Sequence, residues 1–307
     1  MKNNYLLCVV GPTAVGKTSM AIDLATTFQT EIFSADSRQF YQELNIGTAK
    51  PTKEDQKAAK HHYVDCMSIQ QEYNSSDFEK DILPHLDNFY QKNKIALLCG
   101  GSGMYVNAVL KGFDQELPSA DLSIRNQLKF TLEKEGIQAL QEQLKQLDPD
   151  FYEEIDLHNS KRLMRAIEVC LITQKPYSSL RSGEGKSRNF IPIKVGLEME
   201  RPLLYARINK RVDQMMQLGL LDEVKEVLPF REMNALKTVG YRELFDYLNG
   251  KVSLEEAIEK IKVNSRRYAK RQLTWFKKDL EIQWYTPDQK AQIIEYIRRR
   301  IAHFEQS

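Results

Sequence analysis

No apolar run in the 307 residues approaches the length of a membrane span, and the amino terminus lacks the charged, apolar and small-residue order of a secretion signal. The chain is therefore expected to work in the cytoplasm, away from the bilayer. Cysteine is scarce. Cys8, Cys66, Cys99 and Cys170 are scattered, with no CxxC pair and no zinc spacing, which argues against a disulfide scaffold and a structural zinc site and leaves reduced thiols. Charge of one sign is also missing. Lys and Arg number 44 against 42 Asp and Glu, a net charge of +2, so any affinity for nucleic acid must come from local patches. There are no internal repeats and no low-complexity tract. His61 and His62 suggest a metal, but adjacent residues on a helix point about 100° apart and cannot chelate one ion together.

What is present reads as an ordinary globular chain, 42% hydrophobic and 28% charged, long enough for two domains or one domain with an insertion. Tyr5–Val10 is a short apolar run that fits a fully buried strand, and a helix can follow over Thr18–Thr27. Further strands are expected at Glu31–Ala35, Ile95–Cys99, "FIPIKVGLEM" and "EIQWY". Strands alternating with helical stretches imply an α/β fold, a parallel sheet covered by helices on both faces. From Phe113 the pattern turns helical, with Leu128, Leu132, Leu140, Leu144 and Leu147 among charged residues, and it ends in "RSGEGKSRN". Residues 1–112 are thus read as the first part of the core, 113–190 as a helical insertion, and 191–307 as the second part with basic carboxyl-terminal helices.

"GPTAVGKT" comprises Gly11, Pro12, Thr13, Ala14, Val15, Gly16, Lys17 and Thr18. It matches G-x-x-x-x-G-K-[ST] between an apolar strand and a helix, the setting of a P-loop NTPase-like core. The glycines let the backbone turn its N–H groups inward, and the helix presents its positive dipole end to the same place. Lys17 adds a full charge toward the terminal phosphates, and Thr18 can ligate Mg²⁺. ATP is the usual ligand of such a loop, which keeps a small-molecule or nucleotide kinase, and a nucleotide-controlled RNA-binding module, as alternatives. Against them, the third strand runs into "CGGSGMY" with no metal-holding carboxylate. Asp36, at the carboxyl end of the second strand, reads equally well as a crevice residue or as a helix N-cap with Gln39 at N3.

"GPTAVGKT", "SADSRQFYQELNIGTAKP", "GGSGMYVNAV", "NSKRLMRAIEV", "RVDQMMQLGLLDEV", "VGYRELFDYLNG" and "YAKRQLTWFK" run in order from residue 11 to 277. In them the chain closely resembles the bacterial tRNA dimethylallyltransferases. The resemblance implies transfer of a dimethylallyl group from dimethylallyl diphosphate to N6 of the adenosine 3′ to the anticodon, by a monomer using Mg²⁺. The phosphate loop would then hold a diphosphate that leaves. Asp36 is similar to the family's general base, and Arg211, rather than Arg207 one turn earlier, to its diphosphate ligand. Thr48 falls in a matching block, as support for acceptor or diphosphate or as a turn hydroxyl. The resemblance also implies tRNA contacts at Asp36, Ser37, Arg38, Gln39, Ser102, Arg125, Lys161, Arg162, Leu163, Met164, Arg165, Gly240, Tyr241 and Arg242. At Ser102 the family often has threonine.

"NSRRYAKRQLTWFKK" carries six cations and no acid, with Arg267 and Arg271 on one helical stripe, which suits RNA phosphates better than a solvated face. Lys161, Arg162 and Arg165 open a helix, against its dipole, so an external anion such as the anticodon stem-loop is expected there. Tyr241 and Trp275 read as base-stacking or core residues.

Overall fold

A computed structural model describes residues 3–112, 117–118, 120–180 and 185–306. Phe113, where the insertion is expected to start, and the first four residues of "RSGEGKSRN" lie outside them. The chain divides into two compact units, residues 1–111 with 187–307, and residues 112–186.

The larger unit begins with β1 (Tyr5–Val10), α1 (Lys17–Phe28), β2 (Ile32–Ser34), α2 (Lys53–Ala58), β3 (His61–His62), α3 (Ser75–Tyr90), β4 (Ile95–Gly100) and α4 (Gly103–Leu110). The smaller unit holds α5 (Leu122–Glu135), α6 (Ile137–Leu147), α7 (Pro149–Glu154) and α8 (Ser160–Thr173). The larger unit resumes with β5 (Ile191–Leu197), α9 (Arg201–Gln217), α10 (Leu220–Glu226), α11 (Tyr241–Leu248), α12 (Leu254–Phe276), β6 (Gln283–Tyr285) and α13 (Lys290–Gln306).

Among the described residues, six strands form one sheet in the order β3-β2-β4-β1-β5-β6, and every pairing is parallel. β1 lies inside it, and all six of its residues are buried. Tyr5, Leu7 and Val9 pack on one face with Leu24 of α1, Leu204 and Ile208 of α9, and Ile293 and Ile297 of α13. Leu6, Cys8 and Val10 pack on the other with Phe78, Ile82 and Leu86 of α3 and Val106 of α4. Burial on both faces is why this strand reads as a continuous apolar run rather than an alternation. The segments that leave β1, β2 and β4 all emerge at the carboxyl edge of the sheet, where open α/β sheets form their crevice.

His61 and His62 are not helical. They form the two-residue edge strand β3 beside Ile32 and Phe33. The two still face apart, because successive strand residues point to opposite sides. His62 Nε2 lies 2.5 Å from Glu31 Oε2, and its ring stacks on Phe33.

In the smaller unit, Leu128, Leu140, Leu144, Leu163, Ala166 and Ile167 make one core, with Leu132 and Leu147 packed against it. Its described residues contain no strand. Arg188 donates to the carbonyls of Ala108 and Val109 at 2.8 and 2.9 Å and pairs with Glu79 at 2.9 Å. These bonds draw residues 187–190 to the larger unit and bring the expected insertion boundary forward.

Candidate active site

The cleft of the larger unit encloses about 780 Å³. The phosphate loop forms its floor. Gly11 has φ +149°, and a Cβ there would stand 2.5 Å from the Leu197 carbonyl, so only glycine lets the loop leave β1 this close to β5. Gly16 precedes α1, and no side chain caps that helix. The first-turn N–H groups of α1 therefore remain for a ligand, with the helix dipole behind them. Thr13, Ala14, Gly16, Lys17 and Thr18 line the cleft. Val15 is fully buried, and the Pro12 carbonyl accepts a 2.8 Å bond from Lys17 Nζ.

Arg207 and Arg211 both line the cleft from α9. The helix forms because Leu204, Ile208 and Val212 recur on one stripe, all nearly buried, which sets the two arginines at its edge. Arg211 Nη1 donates to Thr13 Oγ1 at 3.2 Å, tying it to the loop. Burial pulls the Lys17 ammonium and the Arg211 guanidinium below their ordinary values, and Asp36 opposes the pull on both. Neither cation is in an ion pair among the described residues. Two desolvated cations beside one carboxylate favour an incoming anion.

Asp36 leads a turn and not a helix. Its carboxylate accepts the Arg38 N–H at 3.1 Å, and its carbonyl accepts the Gln39 N–H at 3.2 Å. The N-cap reading thus gives way to an Asx turn, which faces Asp36, Ser37, Arg38 and Gln39 to the cleft. Ser102 Oγ accepts the Ser37 N–H at 3.0 Å, holding the turn from the β4–α4 loop. The Gln39 amide reaches the carbonyls of Thr48 and Ala49. Thr48 lines the cleft, but its hydroxyl donates to the Leu44 carbonyl at 2.8 Å, the turn-hydroxyl arrangement.

Gly240, Arg242 and Arg271 also line the cleft, and Arg267 is exposed on α12. Tyr241 does neither. It is completely buried, with its hydroxyl donating to Glu223 at 2.7 Å, so it cannot stack on a base. In the smaller unit Lys161 and Arg162 are exposed on the first turn of α8, whose N-cap is Asn159. Met164 is half-buried, whereas Leu163 is core and offers no side chain to a ligand. Arg125 and Arg165 are not free cations, since both pair at 2.8 Å with Glu168, which is fully buried.

Three residues escape the sequence reading. Glu223 of α10 accepts the N–H groups of Asn45, Ile46 and Gly47 at 2.8, 2.7 and 3.0 Å, pinning the loop before Thr48. Gln272 of α12 accepts the Thr13 N–H. Tyr268, one turn earlier, faces the cleft, its phenol pushed up to about 12 by burial and by Asp36. Glu223 lies in a block that matches the family and Gln272 in the basic stretch, but neither carries a local signal of a partner.

A family profile described as IPP transferase matches residues 39–279. A tRNA dimethylallyltransferase of Christiangramia forsetii is 48% identical over 97% of this chain and 99% of its own length. That of Flavobacterium johnsoniae is also 48% identical, over 95% and 97% of the two chains. Among solved structures, the full-length tRNA isopentenylpyrophosphate transferase of Bacillus halodurans superposes with a TM-score of 0.73 at 36% identity, covering 99% and 98% of the two chains. These matches span nearly the whole length, and the chain belongs to the IPP transferase family.

Proposed function

We propose that this protein transfers a dimethylallyl group from dimethylallyl diphosphate to N6 of the adenosine 3′ to the anticodon in tRNA, releasing diphosphate. One observation carries the reading: an anion cradle with two desolvated cations and a single facing carboxylate share one cleft. The diphosphate rests on the N–H groups of the loop and the first turn of α1. Lys17 and Arg211 bind its oxygens, and their charge matters most as the allylic C–O bond breaks and the leaving group gains negative charge. The described residues hold no group of three or more His, Cys, Asp or Glu arranged for a metal. Mg²⁺ suits such a site, since it takes few protein ligands and shares substrate phosphates, and Thr18 would supply one. Bound there, it would neutralise further charge on the leaving group.

The adenine amine is a poor nucleophile until its proton has somewhere to go. As N6 bonds to the allylic carbon, Asp36 accepts the proton that the cationic nitrogen sheds, and the electron pair of the C–O bond departs with diphosphate. The target base must leave its stack to reach this depth. The turn of Ser37, Arg38 and Gln39, with Gly240 and Arg242, surrounds it. Arg267 and Arg271 on α12, and Lys161 and Arg162 on α8, hold the phosphates of the anticodon stem-loop. The protein acts as a monomer, in the cytoplasm with its substrate. Incubation with labelled dimethylallyl diphosphate and unmodified tRNA tests the proposal. Label is expected at that adenosine, and RNA that stays unlabelled while ATP is consumed would overturn it.

A further inference from the structure

α12 presents cations on its exposed face, but its opposite face carries a glutamine where a leucine would be ordinary. Gln272 is 6% exposed, one turn from Ala269 and Phe276, which are core residues. Its Oε1 accepts the Thr13 N–H at 2.8 Å, and its Nε2 donates to the Gly101 carbonyl at 2.8 Å. One planar amide thus spans the loop after β1 and the loop after β4. A Cβ on residue 101 would stand 2.3 Å from Nε2, so the glycine is what admits the amide. Thr13 in turn holds Arg211 through its hydroxyl. The connection runs from α12 through the phosphate loop to α9.

An apolar residue at 272 would fill the same space, and a buried amide is tolerated only because both its ends are bonded. Its two bonds fix what packing alone does not. The Thr13 N–H is directed to α12, which constrains the direction of the loop's other N–H groups. It also fixes where the Thr13 hydroxyl stands, and with it the Arg211 guanidinium. We infer that Gln272 is a positioning residue for the donor site, holding the phosphate loop and Arg211 in the geometry that grips diphosphate. The inference rests on the function proposed above.

The test uses the full-length chain and two variants, Gln272→Leu and Gln272→Glu. Wild-type transfer to tRNA is measured first; if it is absent the functional proposal fails, whatever Gln272 does. With wild type active, Gln272→Leu should raise the KM for dimethylallyl diphosphate, and the Kd for inorganic diphosphate with Mg²⁺, about tenfold, as for one missing buried hydrogen bond. The Kd for tRNA should stay within about twofold. Gln272→Glu keeps the acceptor for Thr13 but sets a carboxylate oxygen against the Gly101 carbonyl. Protonation restores a donor, and burial raises the pKa of such a carboxyl. Its deficit in donor KM should therefore be large near about pH 8 and shrink near about pH 6. This profile is one that general loosening of the fold would not produce, and it carries the test if Gln272→Leu does not fold. Unchanged donor KM and diphosphate Kd in a folded variant, tRNA affinity falling in step with donor affinity, or a deficit in Gln272→Glu indifferent to pH would each overturn the inference.

Discussion

Glu223→Gln is a change of one charge with almost no change of volume, so no cavity confounds it. In the native protein Oε2 accepts from Asn45 and Ile46, and Oε1 from Gly47 and the Tyr241 hydroxyl. The substituted amide has one oxygen and one nitrogen. Its nitrogen is best turned toward Gly47 and Tyr241, because a hydroxyl can rotate and accept while a backbone N–H cannot. The Gly47 N–H then loses its partner, and the remaining bonds fall from charge-assisted to neutral strength. Bonds to charged groups contribute roughly 1.5–3 kcal/mol each and neutral ones about 1 kcal/mol; with about 1.5–2 kcal/mol for each of the four native bonds against three neutral ones, the loss is about 3–5 kcal/mol. For a domain of this size each kcal/mol lowers Tm by about 2 °C, hence a fall of roughly 6–10 °C. Thermal unfolding followed by circular dichroism, with dilution back to low temperature as a check of reversibility, measures it. The loop so pinned leads into Thr48 and the cleft, so turnover should decline as well. A Tm within about 1 °C of wild type would show that the buried carboxylate does not hold this loop.

Asp36→Ala should lower turnover by about 10²–10⁴, the usual worth of a positioned base, while tRNA affinity in filter binding stays within a few-fold. Single-turnover labelling at the wild-type rate would remove Asp36 from the proton transfer. Reversing charge at both Arg267 and Arg271 should weaken tRNA binding and flatten the plot of log affinity against log salt by about 0.7 for each phosphate no longer neutralised. An unchanged slope would return that face of α12 to solvent. In the larger unit, burial acts to raise Asp279, but the Lys194 ammonium at 2.7 Å and the Glu281 N–H outweigh it and hold the carboxyl below its usual range. The pair's stabilisation is therefore complete above about pH 4 and is lost as pH falls through the lower folded value. Asp279→Asn should flatten that acid limb in urea titrations below about pH 4, and the same acid slope in both proteins would exclude the pair.

Local pattern carried much of this protein. Tyr5–Val10 is legible because a central parallel strand buries both faces, and the phosphate loop because its glycines and lysine lie within eight residues of one another. Leu204, Ile208 and Val212 foretell α9 by their helical spacing, and Leu128, Leu140 and Leu144 foretell α5 and α6 by theirs. Strands as short as His61–His62 offer no such period, so β3 emerges only from its pairing with β2. The basic residues of α5 and α8 show the limit from the other side. Nothing local to Arg125 and Arg165 shows that packing brings Glu168 beneath both.

The sequence alone thus determines the phosphate-loop motif, the longer strands and helices of the core, and the family. The tertiary structure decided which cations are paired with buried carboxylates, that Tyr241 is core, and that Glu223 and Gln272 hold the loops of the site. Thr13 and Gln272 are 259 residues apart. A polar residue on an amphipathic helix has the same local signature whether it faces water or a buried peptide, and only closure of the chain supplies the partner that distinguishes them.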